Sequence, residues 1–322
     1  MKLAGFDIGG TKCAVILGEE TANGFDFLSR IEFKTEGSPE TVIEKLVGLL
    51  LEEMRLHGCT AEDLKSVGIS CGGPLNSKAG MILSPPNLLG WDNVPIVKLV
   101  QDALGVPTFL CNDADACSLA EWTYGAGKGC EDMIFLTFGT GLGAGLILNG
   151  ALYTGKSNSA GEVGHIRLAP FGPVGYGKSG SFEGFCSGAG IAQLARIRIL
   201  EQLQIGRPIP YMMQDAETMT AKKLAAAAHG KEPLALGIFR EAGEYLGRGL
   251  AVLADILNPE CIVIGGVFMR AGQYMESAMR ESLKREALSV NADLKVVPAA
   301  LGEQIGDYAA LTIAKYNLER TI

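Results

Sequence analysis

The feature that most constrains the fold is a glycine- and threonine-rich turn between two apolar segments, which occurs twice. The first copy is Asp7-Ile8-Gly9-Gly10-Thr11-Lys12, with an apolar segment on each side. Gly9 and Gly10 can adopt the positive φ values of a tight turn between two strands. The exposed backbone N–H groups, with Thr11 and Lys12 beside them, suit phosphate oxygens. Taken alone, such a turn is more often an ordinary glycine hairpin.

The second copy makes a phosphate-binding role the better interpretation. Phe138-Gly139-Thr140-Gly141-Leu142-Gly143-Ala144-Gly145 follows the apolar segment 133–136 and leads into the apolar segment 146–148. A repeated strand–turn–strand unit indicates two halves of similar design. Two such turns facing each other, the second presenting Thr140 and Gly141, would hold a nucleoside triphosphate between two domains.

Two further features complete the predicted nucleotide site. Asp7 is a carboxylate at the end of a buried strand, where a charge is costly unless it holds a metal ion or a hydrogen-bonded partner. A third glycine pair, Gly265 and Gly266, follows the apolar segment 261–264. Without side chains there, a base or ribose can lie against bare backbone.

The composition limits the class of protein. The chain of 322 residues is long enough for two domains, and 48% hydrophobic residues allow a sizeable core. A net charge of −8 argues against a nucleic-acid partner. The 8 cysteines form no C-x-x-C pair and fit buried thiols in a reducing compartment. With no signal peptide and no apolar segment of roughly 18 residues, we expect a soluble cytoplasmic protein without membrane contact.

Polar residues follow the predicted strand 108–111. Asn112 and Asp113 lie where this strand meets a helix expected over residues 114–124, the usual position of functional groups in an α/β sheet. A helix cap is the commoner role at such a position, and one residue can cap while the other reacts. Further along the chain, Glu162 and His165 lie in a glycine- and serine-rich loop. They either bind a ligand or form hydrogen bonds only within the protein.

Hydrophobic periodicity and proline positions predict the helices and the loops. Two prolines make 84–88 a loop, and glycines and prolines make 171–181 another, with Glu183 beyond it. The remaining expected helices are 39–57, 94–104, 189–202, 219–228, 232–257, 269–286 and 303–317.

Five segments in order resemble the ROK family (repressor, open reading frame, kinase), which includes bacterial glucokinases and related hexose and N-acetylhexosamine kinases. They are 7–12, 112–114, 138–143, 161–165, and Glu183 with Ser187-Gly188. The resemblance covers nearly the whole chain. It implies a two-domain α/β fold of the actin-like (ribonuclease-H-like) ATPase type with an interdomain cleft. The expected domains are 1–112, completed by a C-terminal helix in 303–322, and 113–302, with a hinge near Asp113.

The resemblance also implies roles for single residues, ATP and Mg²⁺ as cofactors, and a homodimer. Asp113 matches the general base that acts on a sugar hydroxyl, and Asp7 matches the carboxylate near magnesium, which it would reach through water. The residues that match sugar contacts are Asn87, Asn112, Glu162, His165 and Glu183. Those on the phosphate side are Gly9, Gly10, Thr11, Lys12, Thr140 and Gly141, and Gly265 and Gly266 match the adenosine side.

The chain departs from the family at one site. Most members carry a zinc cluster written C-x-C-G-x-x-G-C-x-E, and here Val174, Tyr176 and Ser181 stand at the three cysteine positions. Zinc prefers thiolates and imidazoles, so we predict no structural zinc. Aromatic residues of the loop are expected to pack as a small apolar plug instead: Phe171, Tyr176 and Phe182.

The favoured function is an ATP-dependent hexose kinase acting at the 6-hydroxyl, with glucose as the default substrate. The alternatives in substrate are mannose, allose, fructose, N-acetylglucosamine and N-acetylmannosamine. A ROK repressor would carry an added helix-turn-helix domain, for which a kinase domain starting at residue 3 leaves no room. Asp113 argues against a sugar-binding protein without catalysis. An actin- or chaperone-like ATPase would leave Glu162, His165 and Glu183 unexplained.

Overall fold

Apolar segments and glycine turns become strands and hairpins in the computed structural model, which describes residues 1–320. The strands are β1 (Lys2–Ile8), β2 (Lys12–Thr21), β3 (Gly24–Lys34), β4 (Leu64–Cys71), β5 (Leu75–Asn76), β6 (Met81–Ile82), β7 (Thr108–Asn112), β8 (Met133–Leu136), β9 (Ala144–Leu148), β10 (Ala151–Leu152), β11 (Val174–Gly175), β12 (Lys178–Ser179), β13 (Cys261–Ile264) and β14 (Lys295–Pro298).

Helices alternate with the strands, as in an α/β protein. They are α1 (Pro39–Leu56), α2 (Ile96–Leu104), α3 (Asp113–Tyr124), α4 (Phe182–Phe185), α5 (Gly188–Gln204), α6 (Met213–Thr218), α7 (Ala221–His229), α8 (Pro233–Leu257), α9 (Val267–Glu286) and α10 (Ile305–Glu319). Short 3₁₀ helices cover Val163–His165 and Gly302–Gln304.

The chain divides into two structural units whose boundaries differ from the predicted ones. The first unit comprises Met1–Gly129, Gly145–Ala160 and the chain from Ala300, and the second comprises Cys130–Ala144 and Gly161–Ala299. The boundary expected after residue 112 therefore falls inside the first unit, because α3 packs against α10 there. Of the predicted C-terminal segment 303–322, residues 321–322 lie outside the described residues.

The sheet of the first unit has the strand order β3-β2-β1-β4-β7. β1 to β3 form an antiparallel meander, whereas β1, β4 and β7 are parallel, with Ile8, Cys71 and Asn112 aligned side by side. The carboxyl ends of three parallel strands therefore meet at one edge of the sheet. This edge carries Asp7, Asn112 and the residue after it, Asp113.

Helix α10 packs closely on this sheet because glycines face it. A Cβ at Gly68 would collide with the backbone of α10 at Ala310, and one at Gly5 would lie 2.6 Å from the Ala310 Cβ. On the other side, α1 begins with Pro39 behind the Ser38 cap and buries one apolar face. The parallel part of the sheet is thus covered by helices.

A buried carboxylate joins the third stretch of the first unit to α3. Glu121 is 0% exposed and accepts backbone hydrogen bonds from Ala126 (2.8 Å), Ala300 (3.1 Å) and Leu301 (2.9 Å). Three N–H donors replace the water that a buried carboxylate loses. This fixes the point where the chain re-enters the first unit.

The second unit contains the parallel strands β8, β13 and β14, with β13 in the middle. Helices α8 and α9 approach closely, since a Cβ at Gly243 or Gly247 would meet the backbone of α9. The helix expected over 219–228 is confirmed as α7, whereas the short helix α6 before it was not predicted. The chain forms α6, breaks, and restarts as α7 behind the Thr220 cap, whose Oγ1 accepts the Lys223 N–H.

Within residues 1–320, no helix has both the length and the apolar composition needed to cross a membrane. Asn149 and Gly150 form a type I′ turn between β9 and β10, since both residues have positive φ, 52° and 67°.

Candidate active site

The first glycine turn is a closed hairpin between β1 and β2. The Gly9 N–H donates to the Lys12 carbonyl at 3.0 Å, and the Thr35 Oγ1 donates to the Gly9 carbonyl at 2.6 Å. Thr11 and Lys12 are exposed. A Cβ at Gly10 would collide with the Asn87 carbonyl, so the turn and the 84–88 loop lie in close contact only because residue 10 is glycine.

The junction of β7 and α3 gives Asn112 and Asp113 separate positions. Asn112 is the N-cap of α3, and Asp113 is the first helical residue. The Ala114 N–H donates to the Oδ1 of Asn112 at 2.9 Å and to the Oδ1 of Asp113 at 2.8 Å. The cap and the candidate base are therefore neighbouring residues, and Asp113 keeps its Oδ2 on the side of Gly72.

The carboxylates at this sheet edge have raised pKa values. Desolvation by the surrounding protein raises the pKa of Asp113, although its side chain is still reached by solvent. The pKa of Asp7 is raised to about 6, mainly by desolvation and then by the Asp113 and Asp307 carboxylates. Arg30 and Lys12 oppose this shift. Negative charge therefore accumulates where β1 and β7 end, and a cation there would relieve it.

The donor set at Asp7 fits magnesium of the kind held mostly by water and substrate. Among residues 1–320 no group of three or more His, Cys, Asp or Glu side chains could form a protein cage for a metal ion. Mg²⁺ commonly uses one or two carboxylates, several waters and the substrate phosphates instead. Asp7 beside the first hairpin supplies such a carboxylate.

The second glycine turn is also closed by a threonine. The Gly143 N–H donates to the Thr137 Oγ1 at 3.1 Å, and the Thr137 N–H donates to the Gly143 carbonyl at 3.0 Å. Inside the turn, the Gly139 N–H donates to the Gly141 carbonyl at 3.0 Å. Thr140, at its tip, is exposed. In both glycine turns, therefore, a threonine hydroxyl is hydrogen-bonded to a glycine backbone group.

Glu183 lies against this second turn. Its Oε2 accepts the Leu142 N–H at 2.9 Å, and a Cβ at Gly141 would lie 2.7 Å from the same oxygen. Gly164 fits between the Leu142 carbonyl and the Glu183 Cβ. The segment 161–165 and Glu183 thus lie beside the phosphate turn, with Glu162 and His165 exposed at the two ends of the short 3₁₀ helix.

Gly265 and Gly266 lie next to the same turn. Gly266 has a φ of +60°, and a Cβ there would collide with the Phe138 carbonyl, which accepts the Val267 N–H at 2.5 Å. The first turn of α5 reaches it too, since the Gly188 N–H donates to the Gly139 carbonyl at 2.8 Å. The predicted adenosine-side glycines are therefore placed close to the phosphate turn within the second unit.

The aromatic plug predicted for the 171–181 loop is wrong. Phe182 is fully buried, but Phe171 is 83% and Tyr176 is 78% exposed. Phe182 goes inside because Ser181 caps α4, accepting the Gly184 N–H, and because Gly249 of α8 leaves room for its ring. The loop forms the hairpin β11–β12 instead.

The structure gathers the candidate residues into two groups, one in each unit. The first unit holds Asp7, 9–12, Asn87, Asn112 and Asp113, and the second holds Thr140, Gly141, Glu162, His165, Glu183 and 265–266. Thr35 and Thr137, which close the two turns, were not among the predicted residues. Thr137 directly precedes the glycine turn, so the local sequence could have predicted its contact. Thr35 is 26 residues from Gly9, whose carbonyl it binds, so no local pattern predicts that contact.

The chain has two α/β units, two strand–glycine turn–strand motifs, and carboxylates at the ends of parallel strands. These features are those of a protein of the actin-like ATPase class. The chain belongs to the ROK family, whose profile matches residues 3–317.

Relatives of known activity support the same placement. A glucokinase of Streptomyces coelicolor is 31% identical over 97% of this chain and 96% of its own length. An N-acetylmannosamine kinase of Salmonella typhi is also 31% identical, over 86% of each chain. The crystal structure of a Streptomyces griseus ROK family glucokinase with glucose and AMPPNP is similar, with a TM-score of 0.75 and 29% identity over 98% of this chain and 100% of that one.

Proposed function

We propose that this protein is an ATP-dependent hexose kinase that transfers a phosphoryl group to the 6-hydroxyl of glucose. The observation that carries the proposal is the placement of Asp113. It stands at the end of a parallel strand, one residue after the helix cap and in the same unit as the first phosphate turn. The family membership and the glucokinase relatives support this role.

Asp113 acts as the general base in this proposal. Its Oδ1 is engaged by the Ala114 N–H, so Oδ2 is the oxygen that accepts the proton of the sugar hydroxyl. The raised pKa of Asp113 makes its carboxylate a better proton acceptor. The hydroxyl oxygen then attacks the γ-phosphorus of ATP as the bond to the β-phosphate oxygen breaks.

The other polar residues recognise the sugar. Amide, imidazole and carboxylate groups can pair with sugar hydroxyls, each of which is both donor and acceptor. The Glu183 Oε2 accepts the Leu142 N–H, so Oε1 is the oxygen that binds a sugar hydroxyl. Glu183 therefore contacts both the sugar and the second phosphate turn. The proposed sugar contacts are Asn87, Asn112, Glu162, His165 and Glu183.

The two glycine turns hold the triphosphate. Phosphoryl transfer depends on positioning and charge stabilisation more than on covalent chemistry. Backbone N–H groups of Gly10, Thr11 and Lys12 and of Thr140 and Gly141 supply donors, while the Gly9 N–H closes the first turn. Gly265 and Gly266 face the adenosine. Mg²⁺, when bound at Asp7 through water, would neutralise charge on the β- and γ-phosphates.

The substrate alternative is an N-acetylhexosamine. The Salmonella typhi N-acetylmannosamine kinase is as similar in sequence as the Streptomyces coelicolor glucokinase, 31% in both cases. Identity therefore does not decide between them. A pocket that pairs every hydroxyl rejects a wrong sugar strongly, because unmatched polar groups are left buried and unpaired.

A coupled ADP-release assay over a panel of hexoses tests the proposal. The panel contains glucose, mannose, allose, fructose, N-acetylglucosamine and N-acetylmannosamine, each with ATP and Mg²⁺. We expect the highest kcat/KM for glucose. An N-acetylhexosamine that exceeds glucose by more than about tenfold, which equals roughly 1.4 kcal/mol of transition-state preference, would overturn the glucose assignment but not the kinase.

We further propose a cytoplasmic homodimer. The eight cysteines, which all lie within the described residues, form no disulfide, and this suits a reducing compartment. Light scattering of the purified chain should give twice the mass of 33.9 kDa. A mass equal to one chain at micromolar concentration would contradict the dimer.

A further inference from the structure

We propose that Tyr176 positions His165 for sugar binding, and that the hairpin β11–β12 carries it there in place of the metal cluster typical of the family. This inference rests on the proposed function, in which His165 contacts the sugar. Tyr176 touches no reacting atom in this account and acts through the imidazole.

The residues at the family's metal positions do not fit zinc. Val174 has no donor atom in its side chain, and its backbone N–H and carbonyl are both bound to Gln193. The Ser181 hydroxyl is the cap of α4 and is fully buried. Only His165 offers a good ligand, whereas a structural zinc site needs four nitrogen or sulfur ligands. The loop is therefore ordered by protein contacts.

Each strand of the hairpin is held by a side chain from outside it, at the end away from the turn. The Gln193 Nε2 on α5 donates to the Val174 carbonyl at 2.8 Å, and its Oε1 accepts the Val174 N–H at 3.1 Å. On the other strand, the Arg167 Nη1 donates to the Ser179 carbonyl at 2.9 Å. One amide side chain thus replaces a strand partner for β11, and one guanidinium fixes β12.

The tip of the hairpin is a type I′ turn that presents Tyr176 and Gly177. Their φ values are +43° and +75°, and both central residues of this turn require positive φ. Positive φ is uncommon for a bulky side chain such as tyrosine. The turn directs the Tyr176 ring toward the short 3₁₀ helix that contains His165.

Two contacts then fix His165. The Tyr176 and His165 rings have their centroids 6.3 Å apart at an angle of 75°, an edge-to-face arrangement. The Lys178 Nζ donates to the His165 carbonyl at 2.7 Å. The ring contact limits rotation of the imidazole and the lysine bond holds its backbone, so the imidazole is oriented before the sugar arrives. Orientation before binding lowers the entropy lost on binding.

The decisive variants are Tyr176→Leu and Tyr176→Phe. Because Tyr176 is 78% exposed, neither change disturbs the core. Tyr176→Leu should raise the KM for the sugar about three- to tenfold, the size of an edge-to-face contact, with a smaller change in kcat and none in the KM for ATP. Tyr176→Phe keeps the ring and should stay within about twofold of the parent. Phe171→Leu removes an equally exposed aromatic of the same loop and should change nothing.

A spectroscopic measurement tests the contact without any assay of activity. The chain has 3 histidines, so the ring protons of His165 are readily assigned by NMR. The ring-current shift from Tyr176 should disappear in Tyr176→Leu and persist in Tyr176→Phe. An unchanged His165 signal and sugar KM in Tyr176→Leu would overturn the inference, as would equal damage in Tyr176→Phe. An inactive parent chain that still shows the shift would count against the kinase assignment, not against the contact.

Discussion

In the proposed mechanism, the chemistry depends on single residues at the ends of parallel strands. Asp113 follows β7 directly, and its neighbour Asn112 performs the capping that a residue at this place usually performs. Because Asn112 is the designated cap, Asp113 is available for a different task. The sequence alone left these two roles interchangeable, and the φ and ψ values of Asn112 decide between them, since they are extended, as those of an N-cap are.

Asp113→Asn should abolish catalysis without harming the fold. The change keeps the shape and removes the proton acceptor, so kcat should fall by roughly 10²- to 10⁴-fold, while calorimetry should still detect sugar binding. The folded-state pKa of Asp113 is raised, so its ionised form destabilises the native protein as pH rises through that pKa. The melting temperature at pH 7 should therefore be unchanged or higher. Asp102→Asn on the exposed face of α2 is the control, and near-parental kcat in Asp113→Asn would rule out the base assignment.

The same raised pKa predicts the acid side of the pH–rate profile. Asp113 must be ionised to accept a proton, so kcat/KM for the sugar should fall as pH drops through its raised pKa. The midpoint should lie above about 4, the ordinary aspartate value. A stopped assay between pH 4 and pH 8, with Mg²⁺ and ATP saturating, measures it. Full activity persisting at pH 4 would contradict the raised pKa of the base.

At the scale of elements, glycines decide which helices and strands can touch. The clearest matched pair is Gly68 in β4 and Gly48 in α1. A Cβ at Gly68 would collide with the Ala310 carbonyl of α10, whereas one at Gly48 would meet nothing within 4 Å. Gly68→Ala should therefore lower the free energy of unfolding by about 1–3 kcal/mol through overpacking. Gly48→Ala should raise it by about 0.5–1 kcal/mol, because alanine is the better helix former.

Urea denaturation of both variants measures these changes. The opposite signs make the pair informative, since a general intolerance of β4 or α1 to substitution would destabilise both. If Gly68→Ala is as stable as the parent, the close docking of α10 on β4 is wrong.

The hairpin β11–β12 predicts how the protein responds to a chelator. Its strands are fixed by Gln193 and Arg167, and no zinc ligand set stands at the family's cysteine positions. Treatment with EDTA, followed by restoration of Mg²⁺, should leave the melting temperature and the kinase activity unchanged. Elemental analysis should find far less than one zinc per chain. Stoichiometric zinc, lost together with activity, would refute this account of the loop.

Local sequence patterns predicted the elements well where one face is apolar and a cap is present. Helix α1, with Ser38 and Pro39 at its start, was expected over 39–57 and spans Pro39–Leu56. The pattern failed in the 171–181 loop, because whether Phe171, Tyr176 or Phe182 is buried depends on space elsewhere. Gly249 provides that space for Phe182 alone, and it lies 67 residues further along the chain. No local signal contains this information.

For the whole molecule, the order of segments proved more informative than their composition. Five segments in order, among them the two glycine turns and the polar residues after β7, predicted the fold class and the family. The family profile over residues 3–317 confirms the family. The division into units was not predictable in the same way. Residues 113–129 and 145–160 join the first unit through long-range contacts such as those of Glu121 with the backbone at 300–301. In the sequence, nothing distinguishes the buried Glu121 from an exposed glutamate on the surface of a helix.

The most direct test of the central claim is the fate of the γ-phosphoryl group of ATP. Purified protein is incubated with ATP, Mg²⁺ and glucose, and the products are followed by ³¹P NMR, with Asp113→Asn as the control. We predict that the γ-phosphate signal is replaced by that of glucose 6-phosphate in equal amount to the ADP formed, and that the variant forms both products roughly 10²- to 10⁴-fold more slowly. ADP with free inorganic phosphate and no sugar phosphate, from any hexose in the panel, would contradict the assignment of this chain as a sugar kinase.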